Sequence, residues 1–146
     1  MLRYFLLLIS LLLTACSSSS MLRSGTPQLM TGPVSEKFTG TTLLSTDNSV
    51  YVGEMRNGKP HGQGTWYLRD KMVLTGNWNN GELQGKGTVI SIETNSIASG
   101  NFENGRQQGE GYFEQNGRGF YGQIVDDVPE GTGKCVQDNQ ITACEF

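Results

Sequence analysis

Three cysteines, one histidine and a scatter of acids are the residues in this 146-residue chain whose side chains can do chemistry. The histidine, His61, stands alone beside Gly62. A lone imidazole can act as a general base. Without a second His, a Cys-x-x-Cys or a paired nucleophile it neither holds zinc nor completes a proton relay, and its place beside a glycine turn points to local packing or hydrogen bonding. The acids Glu82, Glu103, Glu110, Asp126, Asp127 and Glu130 fall mostly in turn-like sequence and fit a solvated rim better than paired catalytic carboxylates. The Gly-x-Gly pairs would cradle phosphate only between a strand and a helix, and here each leads into β-type sequence. No catalytic set, metal set or cofactor is implied, so a non-catalytic protein is expected.

The first cysteine belongs to a different chemistry. Met1-Leu2-Arg3 gives a short positive start, and Tyr4 to Leu13 is an apolar stretch of ten residues broken only by Ser10. Such a stretch is too short to span a bilayer and the right length for a signal peptide. It ends in Leu13-Thr14-Ala15-Cys16, followed by four serines. This resembles the lipobox of bacterial lipoproteins. The resemblance implies cleavage before Cys16, diacylglycerol on its sulfur and a further acyl chain on the new amine, enough for stable anchoring. Ser17, rather than Asp, follows the cysteine, which by the same resemblance implies the outer membrane, with the protein facing the periplasm. An ordinary signal peptide with an incidental cysteine is the alternative.

Cys135 and Cys144 remain, an even pair in an oxidising compartment. Asp138-Asn139 between them is a plausible turn, so a disulfide closing a C-terminal hairpin is expected, contributing about 2.5 kcal/mol by the loop-entropy model. Free thiols or a metal site are the alternatives; two cysteines without a nearby His make a poor zinc site. Removing residues 1–15 takes away Arg3 and no acid, moving the net charge from −3 to −4. A mildly acidic chain without a basic run has no footprint for nucleic acid or for anionic lipids.

The elements that would position any site follow from the glycines. Gly-x-Gly pairs at Gly62/Gly64, Gly85/Gly87, Gly109/Gly111 and Gly131/Gly133 are spaced by 23, 24 and 22 residues, and Gly53, Gly76, Gly100 and Gly122 keep the same intervals. A period of this length is one supersecondary unit, copied and stacked. Asn57-Gly58, Asn80-Gly81 and Asn104-Gly105 are hairpin turns by their chemistry. Asp126-Asp127 takes this place in the fourth unit and should be looser. The flanking strands alternate, with Tyr51, Gly53 and Met55 on one face and Val52, Glu54 and Arg56 on the other. Second strands are expected at Thr65–Leu68, Thr88–Ile92, Tyr112–Glu114 and Lys134–Val136. Phe38–Ser45 looks like a second strand without its first, with Gly40 in the place of Gly87. Each first-strand glycine should leave room for an aromatic from the adjacent unit.

Written out, Tyr51-Val-Gly-Glu-Met-Arg-Asn-Gly-Lys-Pro-His-Gly-Gln-Gly64 and its three successors resemble the MORN repeat, roughly Tyr-x-Gly-x-Trp-x-x-Gly-x-x-x-Gly-x-Gly. The expected fold is therefore all-β: an elongated, curved single sheet of hairpins, with about four units plus an N-terminal half unit. Residues 1–15 would be the signal peptide, 16–36 a lipidated flexible linker and 37–146 the repeat domain. Tyr51, Trp66, Trp78, Phe102, Phe113 and Phe120 should stack along the inside of the ribbon and form the candidate binding face. The resemblance implies a protein-interaction or membrane-association module. The expected function is an anchored envelope lipoprotein presenting this surface to an envelope protein. The alternative is direct binding of lipid or cell-wall glycan by the aromatic concave face.

Overall fold

Asn57-Gly58, Asn80-Gly81 and Asn104-Gly105 make two-residue turns with positive φ at both positions, as their chemistry requires. Asp126-Asp127 does the same, with φ of 49° and 69°. This turn is not looser than the rest. The Gln107 backbone N–H donates to Asp127 Oδ1 at 2.7 Å, tying the turn to the preceding unit.

The computed structural model describes residues 28–31 and 34–146. The strands are β1 (Gln28–Thr31), β2 (Gly40–Ser45), β3 (Ser49–Arg56), β4 (Lys59–Leu68), β5 (Met72–Asn79), β6 (Glu82–Ser91), β7 (Ser96–Glu103), β8 (Arg106–Gln115), β9 (Arg118–Val125), β10 (Val128–Gln137) and β11 (Gln140–Glu145). They form one open sheet in chain order. Every neighbouring pair is antiparallel except β1 and β2, which run parallel. At about 4.8 Å between strands, eleven strands extend for nearly 50 Å in a single layer. The described residues contain no helix. β1 falls inside the stretch expected as linker; four residues of parallel pairing order it against β2. The signal peptide, Cys16 and the remainder of the linker to residue 27 lie outside the described residues.

The second strands are longer than expected. The Gly-x-Gly pairs do not precede them but lie inside them, at a bulge. Gly53 pairs with Gly64 and Met55 with Pro60, so β4 carries two more residues than β3 across this step. The same shift recurs in β6, β8 and β10. The first glycine of each pair absorbs it in the left-handed region, with φ of 62°, 77°, 85° and 69° at Gly62, Gly85, Gly109 and Gly131.

The glycine register also corrects two expectations. Gly40 pairs with Met55 as Gly62 pairs with Trp78, so Gly40 occupies the place of the first glycine in the pair, not the second. Thr42 occupies the second. The first-strand glycines do not make room for an aromatic of the adjacent unit: a Cβ on Gly53, Gly76, Gly100 or Gly122 would meet atoms of its own hairpin. The side chain lying over each second glycine likewise comes from its own unit. A Cβ on Gly64 would collide with the Tyr51 ring, one on Gly87 with Leu83, one on Gly111 with Gln107 and one on Gly133 with Phe120.

Units are also stitched along their rims. Gly81, Gly105 and Asp127 each donate a backbone hydrogen bond to a carbonyl in the preceding unit, Pro60, Leu83 and Gln107 respectively. On the opposite rim Arg69, Ile92 and Asn116 donate to Asn48, Lys71 and Asn95. The core is correspondingly thin: Tyr51, Met55, Trp78, Leu83 and Phe102 bury together, with Phe38, Trp66 and Leu74 packed on them.

Candidate functional site

The sheet has two faces, and strand alternation sorts the side chains between them. The inner face carries the six aromatics expected to line a binding surface. Tyr51, Trp78, Phe102 and Phe120 are buried, while Trp66 and Phe113 are half-buried. Tyr51, Trp66 and Trp78 form a triangle with ring centroids 5.9 to 6.2 Å apart, Tyr51 meeting both indoles edge to face. The polar tips turn back into the sheet. Trp78 Nε1 donates to the Gly64 carbonyl at 2.9 Å, and the Tyr51 hydroxyl donates to the Glu54 carbonyl at 2.8 Å. Burial, and secondarily the Glu54 charge, push the Tyr51 hydroxyl up to about 12.

The aromatic run is not continuous. Phe120 packs edge to face on Phe146, with centroids 4.9 Å apart, at the far end of the face. Between the two groups the inner surface is closed by Phe102, Ile124 and the buried Gln107. What remains open is a slot at each end. The N-terminal slot holds about 480 Å³ and is walled by Val34, Leu44, Tyr51, Met55, Pro60 and Trp66. Trp66 Nε1 is buried there without a hydrogen-bond partner. The C-terminal slot holds about 400 Å³ among Phe113, Phe120, Val136 and Phe146, with Arg118 in its lining.

Cys135 and Cys144 are joined, with Cα atoms 5.8 Å apart. They sit diagonally across β10 and β11, since Cys135 pairs with Thr142 and Cys144 with Gly133. Cys135 lines the C-terminal slot, so the bridge fixes one wall of it. His61 lies in the β4 bulge with Nδ1 buried and unpartnered. Among the described residues no group of three His, Cys, Asp or Glu is placed to hold a metal ion.

The outer face, not expected to carry a site, holds several hydrogen-bonded polar side chains. Tyr112 and Tyr121 stand directly opposite one another on β8 and β9. The Tyr112 hydroxyl donates to Glu114 and the Tyr121 hydroxyl to Glu110. Each of these bonds to a carboxylate raises its phenol above the ordinary tyrosine value. The signal for this pair is the alternation of β8 and β9, which puts Tyr112 and Tyr121 on outward positions.

Against known families, the model of the MORN repeat matches residues 51–73, 75–91, 99–119 and 120–140, more than half of the chain. Each match starts on a first strand and runs through the Gly-x-Gly bulge of the second. No curated protein matches the chain significantly.

Proposed function

Four matched repeats make this chain a member of the MORN-repeat family, and on that premise we propose that it is a non-catalytic, lipid-anchored protein of the bacterial envelope that uses its repeat sheet to hold an envelope protein. The supporting observation is the N-terminal slot. It is mostly apolar, and its wall includes Tyr51, Met55 and Trp66, whose rings and side chains belong to or pack on the core. An apolar side chain of a partner fills such a slot, as buried anchors do at protein interfaces. The lipobox at Leu13-Thr14-Ala15-Cys16 supplies the anchor, and the serine-rich stretch after it supplies reach.

Crosslinking in native envelopes followed by affinity capture tests this reading. The wild-type chain should recover a reproducible protein partner. Trp66→Ala should lose it at unchanged strand content, and Cys16→Ser should lose it through mislocalisation. No reproducible partner for the wild type overturns the proposal.

Direct ligand binding is a second reading, favoured by the C-terminal slot. Three phenylalanines beside Arg118 suit an acyl chain with an anionic head. Co-sedimentation of the unlipidated chain with liposomes, compared with Phe113→Ala, tests the acyl reading; equal sedimentation of both forms rejects it.

A further inference from the structure

The register of the outer face places like side chains in rows that run across the strands. Thr65 pairs with Thr75, Thr75 with Thr88 and Thr88 with Ser99. The hydroxyls are linked in twos, Thr65 to Thr75 and Thr88 to Ser99, each at 2.9 Å. The row continues through Ser99–Tyr112 and Tyr112–Tyr121. On one side runs a row of amides and Lys86, in which Gln63 pairs with Asn77 and Lys86 with Asn101. On the other side runs an apolar row, Val73–Ile90–Ile97.

Two features shape this striped surface. Thr75, Thr88, Ser99 and Lys86 border a shallow groove of about 470 Å³ whose lining includes the backbone of Gly76, Gly87 and Gly100. Beyond it the tyrosines lie down instead of standing off the sheet. A Cβ on Gly119 would stand 2.5 Å from the Tyr112 hydroxyl, so the ring reaches across that glycine toward Glu114. Tyr121, 45% exposed, leans the other way toward Glu110. Each carboxylate fixes a ring with one oxygen and leaves the other to accept a further bond.

We propose that this outer track binds a linear, hydroxyl-rich polysaccharide lying across β4 to β9. The surface matches such a chain in its chemistry. Sugar rings present apolar C–H faces, which the tyrosine rings and the apolar row receive. Their edges present hydroxyls that both donate and accept, which Thr, Ser, amides and the two carboxylates answer in kind. The track spans five inter-strand steps, about 24 Å, long enough for several sugar rings. It lacks the cationic density that nucleic acid or an anionic membrane demands. It also lacks the deep apolar pocket that anchors a protein hot spot. It is a different face from the slot proposed for the protein partner, so each stands or falls alone.

The test is co-sedimentation of the detergent-solubilised full chain with protein-free peptidoglycan sacculi and, in a separate arm, with cellulose. The sacculi arm should deplete the protein; depletion by cellulose as well would show that the shared glycan backbone suffices. Tyr112→Ala and Tyr121→Ala should each weaken binding roughly tenfold, with circular dichroism and melting temperature held. Tyr112→Phe keeps the ring and should stay within about threefold. Trp66→Ala should sediment like the wild type. No depletion by either polysaccharide, unchanged binding by both alanine variants, or loss of binding with Trp66→Ala overturns the proposal. Crosslinked partner capture by Tyr112→Ala should persist, which keeps the two surfaces distinguishable.

Discussion

Tyr51 shows how much a single side chain carries in a sheet one layer thick. Its ring fills the space over Gly64, its hydroxyl satisfies the Glu54 carbonyl, and its edges meet two indoles. Burial keeps the phenol neutral, with its ionisation pushed from the usual 10 up to about 12. A folded-state value raised above the unfolded one leaves stability intact below about pH 10 and removes it as pH rises toward 12. Tyr112 and Tyr121 shift in the same direction through their carboxylate bonds, so they add to the same alkaline loss. Denaturant midpoints measured from pH 8 to 12 should therefore fall steeply above pH 10. Tyr51→Phe should flatten that fall by up to one proton while leaving the Tyr112 and Tyr121 share. An alkaline slope identical in the two proteins would show that the buried hydroxyl is not what titrates. The importance of Tyr51 was legible in sequence, as the leading aromatic of its unit. Its partner was not: the ring covers a glycine of its own hairpin, because the bulge at Gly62 brings Gly64 under it.

At the scale of the unit, the four hairpins solve one packing problem in different ways. The leading position is Tyr51, Leu74, Ala98 and Phe120, and the residue two places past the turn, on the second strand, is Pro60, Leu83, Gln107 and Pro129. Where the first is a large ring the second is proline; where the first shrinks, a longer side chain reaches back over the second glycine. Gln107 is the extreme case. It is 1% exposed, and its Nε2 donates to the Ser99 and Tyr112 carbonyls at 3.0 and 3.1 Å, while Oε1 finds no partner. Ala98→Phe alone should overfill the unit and cost about 1–3 kcal/mol, and Gln107→Ala alone should open a void. The double variant should be more stable than the sum of the two by about 1 kcal/mol. Additive effects in denaturant melts would mean that the two positions do not share the space over Gly111. The period, the Asn-Gly turns and the inward alternation of these units were all visible in the chain, since each is local. The compensation was not, because it links residues nine apart through a bulge whose place depends on register. Nor was β1, whose four-residue parallel pairing with β2 leaves no hydrophobic period to read.

Across the whole molecule the question becomes how a repeat sheet stops. Inside the array, a first-strand glycine always faces a second-strand glycine. A Cβ on Gly76 would stand 2.6 Å from the Gly87 Cα, and one on Gly100 2.9 Å from the Gly111 Cα. At the ends this rule is broken. Cys144 pairs with Gly133, where Gly76, Gly100 and Gly122 pair with Gly64, Gly87 and Gly111, so a fifth first strand carries a side chain in place of its glycine. That side chain fits because β11 lies at the sheet edge with no further strand against it, and it reaches Cys135 instead. Phe146 exchanges two backbone bonds with Gly131, as its counterpart Trp78 pairs with Gly62, and so completes the pattern. At the other end Thr42 fills the second-glycine position of β2, and β1 covers the strand. Joining β11 of one copy to β2 of the next would thus press Cys144 against Thr42 where only two glycines fit. Among the described residues, these two side chains oppose the head-to-tail growth that exposed strand edges invite. Sedimentation velocity should find no concentration-dependent polymer of the wild-type chain. A Thr42→Gly, Cys135→Ser, Cys144→Gly variant restores the glycine pair and removes the bridge. It should lose stability, about 0.5–1 kcal/mol for each added glycine and about 2.5 kcal/mol for the bridge, and should form a ladder of oligomers once β1 yields its edge. Polymerisation of the wild type, or a folded variant that stays the size of one chain at high concentration, would show that something other than these two side chains ends the array.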